Sequence, residues 1–113
     1  SKRNWLGVEL VGGADDLPDG SNRDAVGARA TVVYNRPDGV ARQLREVVLG
    51  DGYGSQNSLR LYFGLDKAGS VNELIVNWPR SNIEQRFTDI PANRIIQVQE
   101  GKDMWVERNY TRH

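Results

Sequence analysis

Oxygen-bearing side chains that could bind a cation are concentrated in the polar stretch 14–24, which shows no apolar periodicity. Carboxylate oxygens suit calcium, but the aspartates of this stretch do not have the spacing of an EF-hand. Aspartate also favours turns, so a solvated structural loop is the preferred interpretation and a calcium site is the alternative. The weak calcium candidates are Asp15, Asp16, Asp19 and Asp24.

Arg23 lies in the same stretch, directly before Asp24. A charge-assisted ion pair of Asp24 with Arg23 or Arg29 would brace this loop against the second predicted strand. The guanidinium of Arg23 is also a candidate ligand contact. We favour the structural role and keep Arg23 as a ligand-binding candidate.

A second polar stretch, residues 50–58, mixes glycine with short polar residues and predicts a tightly turned loop. It combines a tyrosine with hydroxyl and amide side chains, which is typical of sugar-binding surfaces. The same residues could instead tie the loop to the protein. The candidate ligand-binding residues here are Tyr53, Ser55, Gln56 and Asn57.

Side chains for nucleophilic or histidine-based catalysis are scarce. The chain has no cysteine and one histidine, His113, at its last position. These counts exclude a thiolate nucleophile, a disulfide framework and a multi-histidine metal site. No motif selects a carboxylate pair for glycoside cleavage. We therefore expect no enzymatic activity and no cofactor, apart from the calcium alternative.

The overall charge limits the classes of partner. Fifteen Lys and Arg balance fifteen Asp and Glu, so the formal net charge is zero. A neutral chain lacks the general attraction to nucleic acids and anionic membranes, and no apolar run is long enough for a membrane helix. We expect no nucleic-acid partner and no membrane insertion. The first residues lack a signal peptide, so we expect a mature or excised part of a longer protein.

Short β-strands are predicted to position the two polar loops. Apolar residues alternate with polar ones in short runs, turn-forming residues separate the runs, and no run has a helical period. This pattern predicts one antiparallel β-sandwich or barrel of seven to eight short strands. The predicted strands are residues 5–11, 28–34, 40–49, 59–65, 71–78, 83–87 and 94–100.

Several local features accompany these strands. Residues 35–39 predict a hairpin turn, because proline fixes φ and the Asp-Gly pair turns the chain. The mixed period of 40–49 predicts a β-bulge. Pro79 is expected to end a strand, and residues 89–93 are expected to form a loop.

The tryptophans and residues 104–106, which we call the C-terminal strip, could pack in the core or lie in an interface. Trp5 and Trp78 are predicted to pack in the core. Residues 104–106 could add a last strand, and their apolar side chains could pack in the core or pair with another chain. The interface candidates are Met104, Trp105 and Val106.

Five motifs follow one another along the chain: NWLGVELVG, SNRDAVGAR, GYGSQ with LRLYFGL, VNWP and IPAN. In this order they resemble the ASPIC/UnbV domain family over about residues 4–100. The resemblance implies one domain over residues 1–100 and a C-terminal extension over 101–113. Residues 80–82 depart from the Ser-Gly that often follows Trp-Pro in the family, which predicts a different turn.

The resemblance also implies a functional context. Members of the family are usually C-terminal modules of secreted FG-GAP propeller proteins such as cartilage acidic protein. We therefore expect a non-catalytic extracellular or cell-surface module that recognises a glycan or a protein through its end loops. The alternative is a structural module that packs against a β-propeller or self-associates.

Overall fold

The computed structural model describes residues 3–13, 27–47 and 60–108. These ranges form eight β-strands in two four-stranded sheets, so the predicted all-β fold is confirmed as a sandwich rather than a closed barrel. They contain no helix that is long and apolar enough to cross a membrane. The strands are β1 (Asn4–Val11), β2 (Arg29–Arg36), β3 (Gly39–Glu46), β4 (Arg60–Asp66), β5 (Ser70–Trp78), β6 (Ile83–Pro91), β7 (Ile95–Gln99) and β8 (Trp105–Arg108).

The two sheets differ in how their strands pair. Sheet A has the strand order β4-β1-β7-β8, and sheet B has the order β3-β2-β5-β6. All neighbours are antiparallel except β1 and β7, which pair in parallel. The predicted antiparallel arrangement is therefore wrong for this one pair. The pairing joins strands from opposite ends of the sequence, and no local pattern signals it.

One apolar core lies between the sheets. Alternate residues of the strands point inward, as their period of two predicts, and Trp78 and Phe63 are the largest side chains that are fully buried. The core also contains Leu6, Val8, Leu10, Ala30, Val32, Leu65, Leu74, Val76, Ile90, Ile96 and Val98.

The bulge predicted within residues 40–49 is absent from the described part of that range. β2 and β3 pair residue for residue, without a register shift. The period is mixed because Val40 lies on the exposed face, whereas Gln43 lies on the inner one. Gln43 donates hydrogen bonds to the Tyr34 hydroxyl and the Gly64 carbonyl, and Arg45 lies 5.5 Å from the centroid of the Phe63 ring. Polar side chains thus close the sandwich between β3 and β4.

The predicted loop at 89–93 is wrong for its first three residues, because β6 continues to Pro91. Asp89 has a φ of 57° within the strand. The buried positions of β6 accordingly shift from Phe87 to Ile90, three residues later. Asp89 shifts the alternation of buried and exposed residues in β6. The pairing with β5 continues beyond it, since Pro91 still pairs with Ser70.

Two predicted turns are confirmed. Arg36 pairs with Gly39 across the β2–β3 hairpin, and Gly39 has a φ of 137° that favours glycine. β5 ends directly before Pro79, and the Asn82 N–H donates to the Trp78 carbonyl at 2.7 Å. Asn82 has a φ of 63°, so it takes the left-handed position of this turn.

Asn93 holds the beginning of β1. Its N–H donates to the Trp5 carbonyl, and its Oδ1 accepts from the Trp5 N–H at 3.1 Å. Its Nδ2 also donates to Asn4 Oδ1 at 2.9 Å. Asn93 has a φ of 63°, which asparagine tolerates better than most residues. The asparagine of IPAN therefore extends the contact between β1 and the segment before β7.

Substitutions of Asn93 should separate its two contributions. Asn93→Gly should lower the free energy of unfolding by about 1–2 kcal/mol, because the side-chain hydrogen bonds are lost. Asn93→Ala should lose the same bonds and a further ~1 kcal/mol, because alanine is strained at a left-handed φ. Urea denaturation measures both values. A glycine variant as stable as the wild type would show that the side-chain bonds contribute nothing.

Candidate functional site

The predicted loop ligands lie in two segments, 14–26 and 48–59, outside the described residues. The residues concerned are Asp15, Asp16, Asp19, Arg23, Asp24, Tyr53, Ser55, Gln56 and Asn57. The structure does place the residues at which the chain enters and leaves these segments. These connecting residues are Gly13, Gly27, Val47 and Arg60.

The connecting residues lie at one end of the sandwich. Gly13 follows β1, and Arg60 begins β4 beside Glu9, near the end of β1. Each segment is therefore joined to sheet A at one of its two ends. In sheet B, the Gly27 N–H donates to the Val47 carbonyl at 2.8 Å. The β5–β6 turn (79–82) and the β7–β8 turn (100–104) lie at the same end. We call this end of the sandwich the loop end.

Glu100 joins both sheets at the loop end. Its carboxylate is buried, with the residue 2% exposed. Its Oε1 accepts from the Gly13 N–H at 2.8 Å, and its Oε2 accepts from the Ser81 hydroxyl. A buried carboxylate needs such donors, because its desolvation otherwise costs several kcal/mol. Glu100 therefore ties the start of segment 14–26 to the β5–β6 turn.

Gln85 makes a second link between the sheets. Its Nε2 donates to the carbonyls of Gln99, at 3.1 Å, and Lys102. Its Oε1 accepts from the indole N–H of Trp78. The tryptophan of VNWP is thus a core residue, as predicted, and its one polar atom is satisfied by the glutamine that holds the β7–β8 turn.

The residue that follows segment 48–59 pairs with a buried glutamate. Glu9 is 1% exposed, although the strand alternation places it on the outer face of sheet A. Arg60 Nε lies 2.6 Å from Glu9 Oε2, and Gln97 Nε2 lies 3.5 Å from Oε1 on the other side. This charge-assisted bond fixes the start of β4 to the centre of sheet A. Sequence reasoning missed Glu9, because its neighbours come from distant strands.

The prediction that Trp5 packs in the core is wrong. It is 37% exposed on the outer face of sheet A, and its ring centroid lies 6.1 Å from that of Tyr62. Gly7 explains how Tyr62 covers β1 beside it. A Cβ on Gly7 would lie 3.1 Å from atoms of Tyr62 and Ile95, so glycine allows both side chains to approach the strand.

The residues of the C-terminal strip differ in whether they pack against the core or are exposed. Trp105 begins β8 and packs against the core, which confirms the predicted last strand. Met104 and Val106 are 75% and 59% exposed. They border an open groove of about 260 Å³ on sheet A. The remaining residues of the groove lining are Gln97, Gln99 and Lys102.

The described residues contain no cluster of three or more His, Cys, Asp or Glu that could hold a metal ion. The resolved pKa shifts occur on the exposed face of sheet B. A hydrogen bond from Arg86 lowers the pKa of Glu84, and the same bond raises the pKa of Arg86. Both shifts favour the charged forms, so this surface ion pair stays charged at neutral pH.

The family model described as ASPIC and UnbV matches residues 18–104. The matched span includes segment 48–59, strands β2 to β7 and the β7–β8 turn, and it ends directly before β8. No curated protein and no solved structure matches the chain significantly.

Glu100→Gln should lower the free energy of unfolding by about 1–3 kcal/mol. One carboxylate oxygen becomes an amide nitrogen, which cannot accept from Gly13 or Ser81. Glu84→Gln is the matched control, because it makes the same change in an exposed surface ion pair and should alter stability far less. Urea denaturation compares the two. Equal losses would contradict the bracing role of Glu100.

Proposed function

We propose that this chain, which belongs to the ASPIC and UnbV family, is a non-catalytic module that recognises a glycan or a protein through its loop end. The observation that carries the proposal is that the chain enters and leaves both polar segments at this end. Binding residues commonly lie on loops that a rigid scaffold positions. Glu100, Gln85 and the Glu9–Arg60 pair supply that scaffold with buried and partly buried hydrogen bonds.

The composition of the two segments supports a polar, ring-shaped ligand. Tyr53 offers an aromatic face, and Gln56 and Asn57 offer amide donors and acceptors. A sugar ring presents both a C–H face and hydroxyl groups, so it can use both kinds of contact. Arg23 would add a cationic donor from the other segment. A calcium ion at the aspartates of segment 14–26 remains a prediction.

The cellular context is part of the same proposal. An extracellular or cell-surface location and a neighbouring FG-GAP propeller come with the family resemblance. In that setting the module would present its loop end to a ligand while the propeller occupies another surface.

A structural or assembly role is a second candidate, which the exposure of Met104 and Val106 favours. Burial of these side chains against a propeller or a second copy would remove apolar surface from water. This surface lies on β8 and the turn before it, whereas ligand recognition would use segments 14–26 and 48–59. Met104 lies in the β7–β8 turn at the loop end, so the two roles would meet at this turn.

A glycan array tests the recognition proposal. We expect the wild type to bind a defined class of glycans, and Tyr53→Ala and Gln56→Ala each to weaken that binding about tenfold, which is the loss of one good contact. Tyr62→Ala removes an exposed tyrosine from the face of sheet A and should bind like the wild type.

Three results would contradict this proposal in different ways. Binding that persists in both loop variants would remove segment 48–59 from the site. Binding lost in Tyr62→Ala alone would place the site on sheet A. A wild type that binds no glycan would exclude the glycan class and leave protein recognition.

A further inference from the structure

β8 forms one edge of sheet A. Its residues 105–108 pair with residues 95–98 of β7, and the described chain offers no strand to its other side. The other sheet edges are β4, β3 and β6. Edge strands usually carry charges, proline or irregular backbone that discourages pairing with another chain.

The other three edges show such features. Gln43 of β3 reaches across to the Gly64 carbonyl of β4, so the side chains of one edge cover part of the other. Arg45 of β3 also turns inward towards Phe63. β6 contains the left-handed Asp89 and ends in Pro91. Each of these edges is therefore a poor template for a further strand.

β8 carries charges on Glu107 and Arg108 but lacks the other two protections. It has no proline and no positive φ. Val106 and the preceding Met104 expose apolar side chains. An uncovered edge with apolar side chains is a surface on which another strand can pair.

The backbone of β8 shows which groups would bond to that strand. The Gly7 N–H donates to the Arg94 carbonyl at 3.0 Å, so even-numbered residues of β7 bond to β1 and odd-numbered residues bond to β8. Gln97 therefore exchanges both bonds with its partner Val106. The alternate residues of β8 direct N–H and C=O to the open side. These residues are Trp105 and Glu107.

We propose that the occupant of this edge is β8 of a second copy, paired antiparallel about a two-fold axis. Trp105 and Glu107 can supply the bonded positions in three symmetric registers. Pairing Glu107 with its own copy places two carboxylates opposite each other, and pairing Trp105 with its own copy places Asp103 opposite Glu107. Both arrangements oppose like charges and are unfavourable.

The remaining register avoids like charges. It places Val106 on the two-fold axis against Val106 of the second copy, as a non-hydrogen-bonded pair whose side chains are close. Trp105 then lies opposite Glu107, and Met104 lies opposite Arg108. The strand is self-complementary in this register, which is the property an isologous interface requires.

The proposed dimer is a specific form of the assembly role. It rests on the recognition proposal only for its functional consequence, the bridging of two ligands. Sheet A would continue through both copies as eight strands, twice the four of one chain. Because β8 strands run antiparallel across the axis, the two loop ends would point in opposite directions. A dimer could then bridge two ligands.

Light scattering after size exclusion, over a range of concentrations, tests the pairing on the full chain. The wild type should show twice the chain mass. Val106→Lys places two ammonium groups at the axis and should raise the dimer dissociation constant at least about tenfold. Val40→Lys, the same change at a 69% exposed valine on β3, should leave the dimer intact.

A proline variant tests the backbone hydrogen bonds. Glu107→Pro removes an N–H that points to the open side and leaves the bonds to β7, so it should abolish the dimer while circular dichroism retains the strand signal. Glu107→Ala removes the ion pair with Arg94 but keeps the N–H, so it should still dimerise.

The proposal would be overturned by a wild type that stays monomeric at millimolar concentration. A dimer that survives both Val106→Lys and Glu107→Pro, or one that Val40→Lys disrupts equally, would also overturn it. Glycan binding by the monomeric Val106→Lys variant would separate this inference from the recognition proposal, since the two would then succeed or fail independently.

Discussion

The buried carboxyl group of Glu100 constrains the whole loop end, because buried polar oxygens need hydrogen-bond partners. Its donors include the Gly13 amide and the Ser81 hydroxyl, and its own N–H donates to the Val11 carbonyl. The end of β1, the β5–β6 turn and the end of β7 are thereby held together. Gln85 links the same two sheets through a neutral amide, which extends this bracing to the β7–β8 turn.

Three of the sequence motifs have structural roles in this fold; VNWP and IPAN lie within the family match, and NWLGVELVG precedes it. The tryptophan of VNWP is core and donates to Gln85, the asparagine of IPAN bonds to Trp5, and the glutamate of NWLGVELVG pairs with Arg60. These contacts join strands that are distant in sequence. The motif residues that the structure describes therefore hold the sandwich together.

The strands could be predicted from sequence because apolar alternation is a local property, as in Leu6, Val8 and Leu10. The buried polar residues could not. Strand alternation places Glu9 on the outer face of sheet A, where exposure is expected. It is buried because β4 and β7 lie on either side of it. The position of Trp5 was wrongly predicted for the same reason. Which face of β1 is buried depends on its pairing with strands that are distant in sequence. The loops were predicted as polar turns, but their common origin at one end follows only from strand order.

Amide hydrogen exchange at Gly13 tests most directly whether Glu100 braces the loop end. The account predicts that this amide is protected in the wild type and exchanges at least about tenfold faster in Glu100→Gln. The Val47 amide, which donates to the Ala28 carbonyl instead, should change much less. A Gly13 amide that exchanges at the same rate in both proteins would contradict the account.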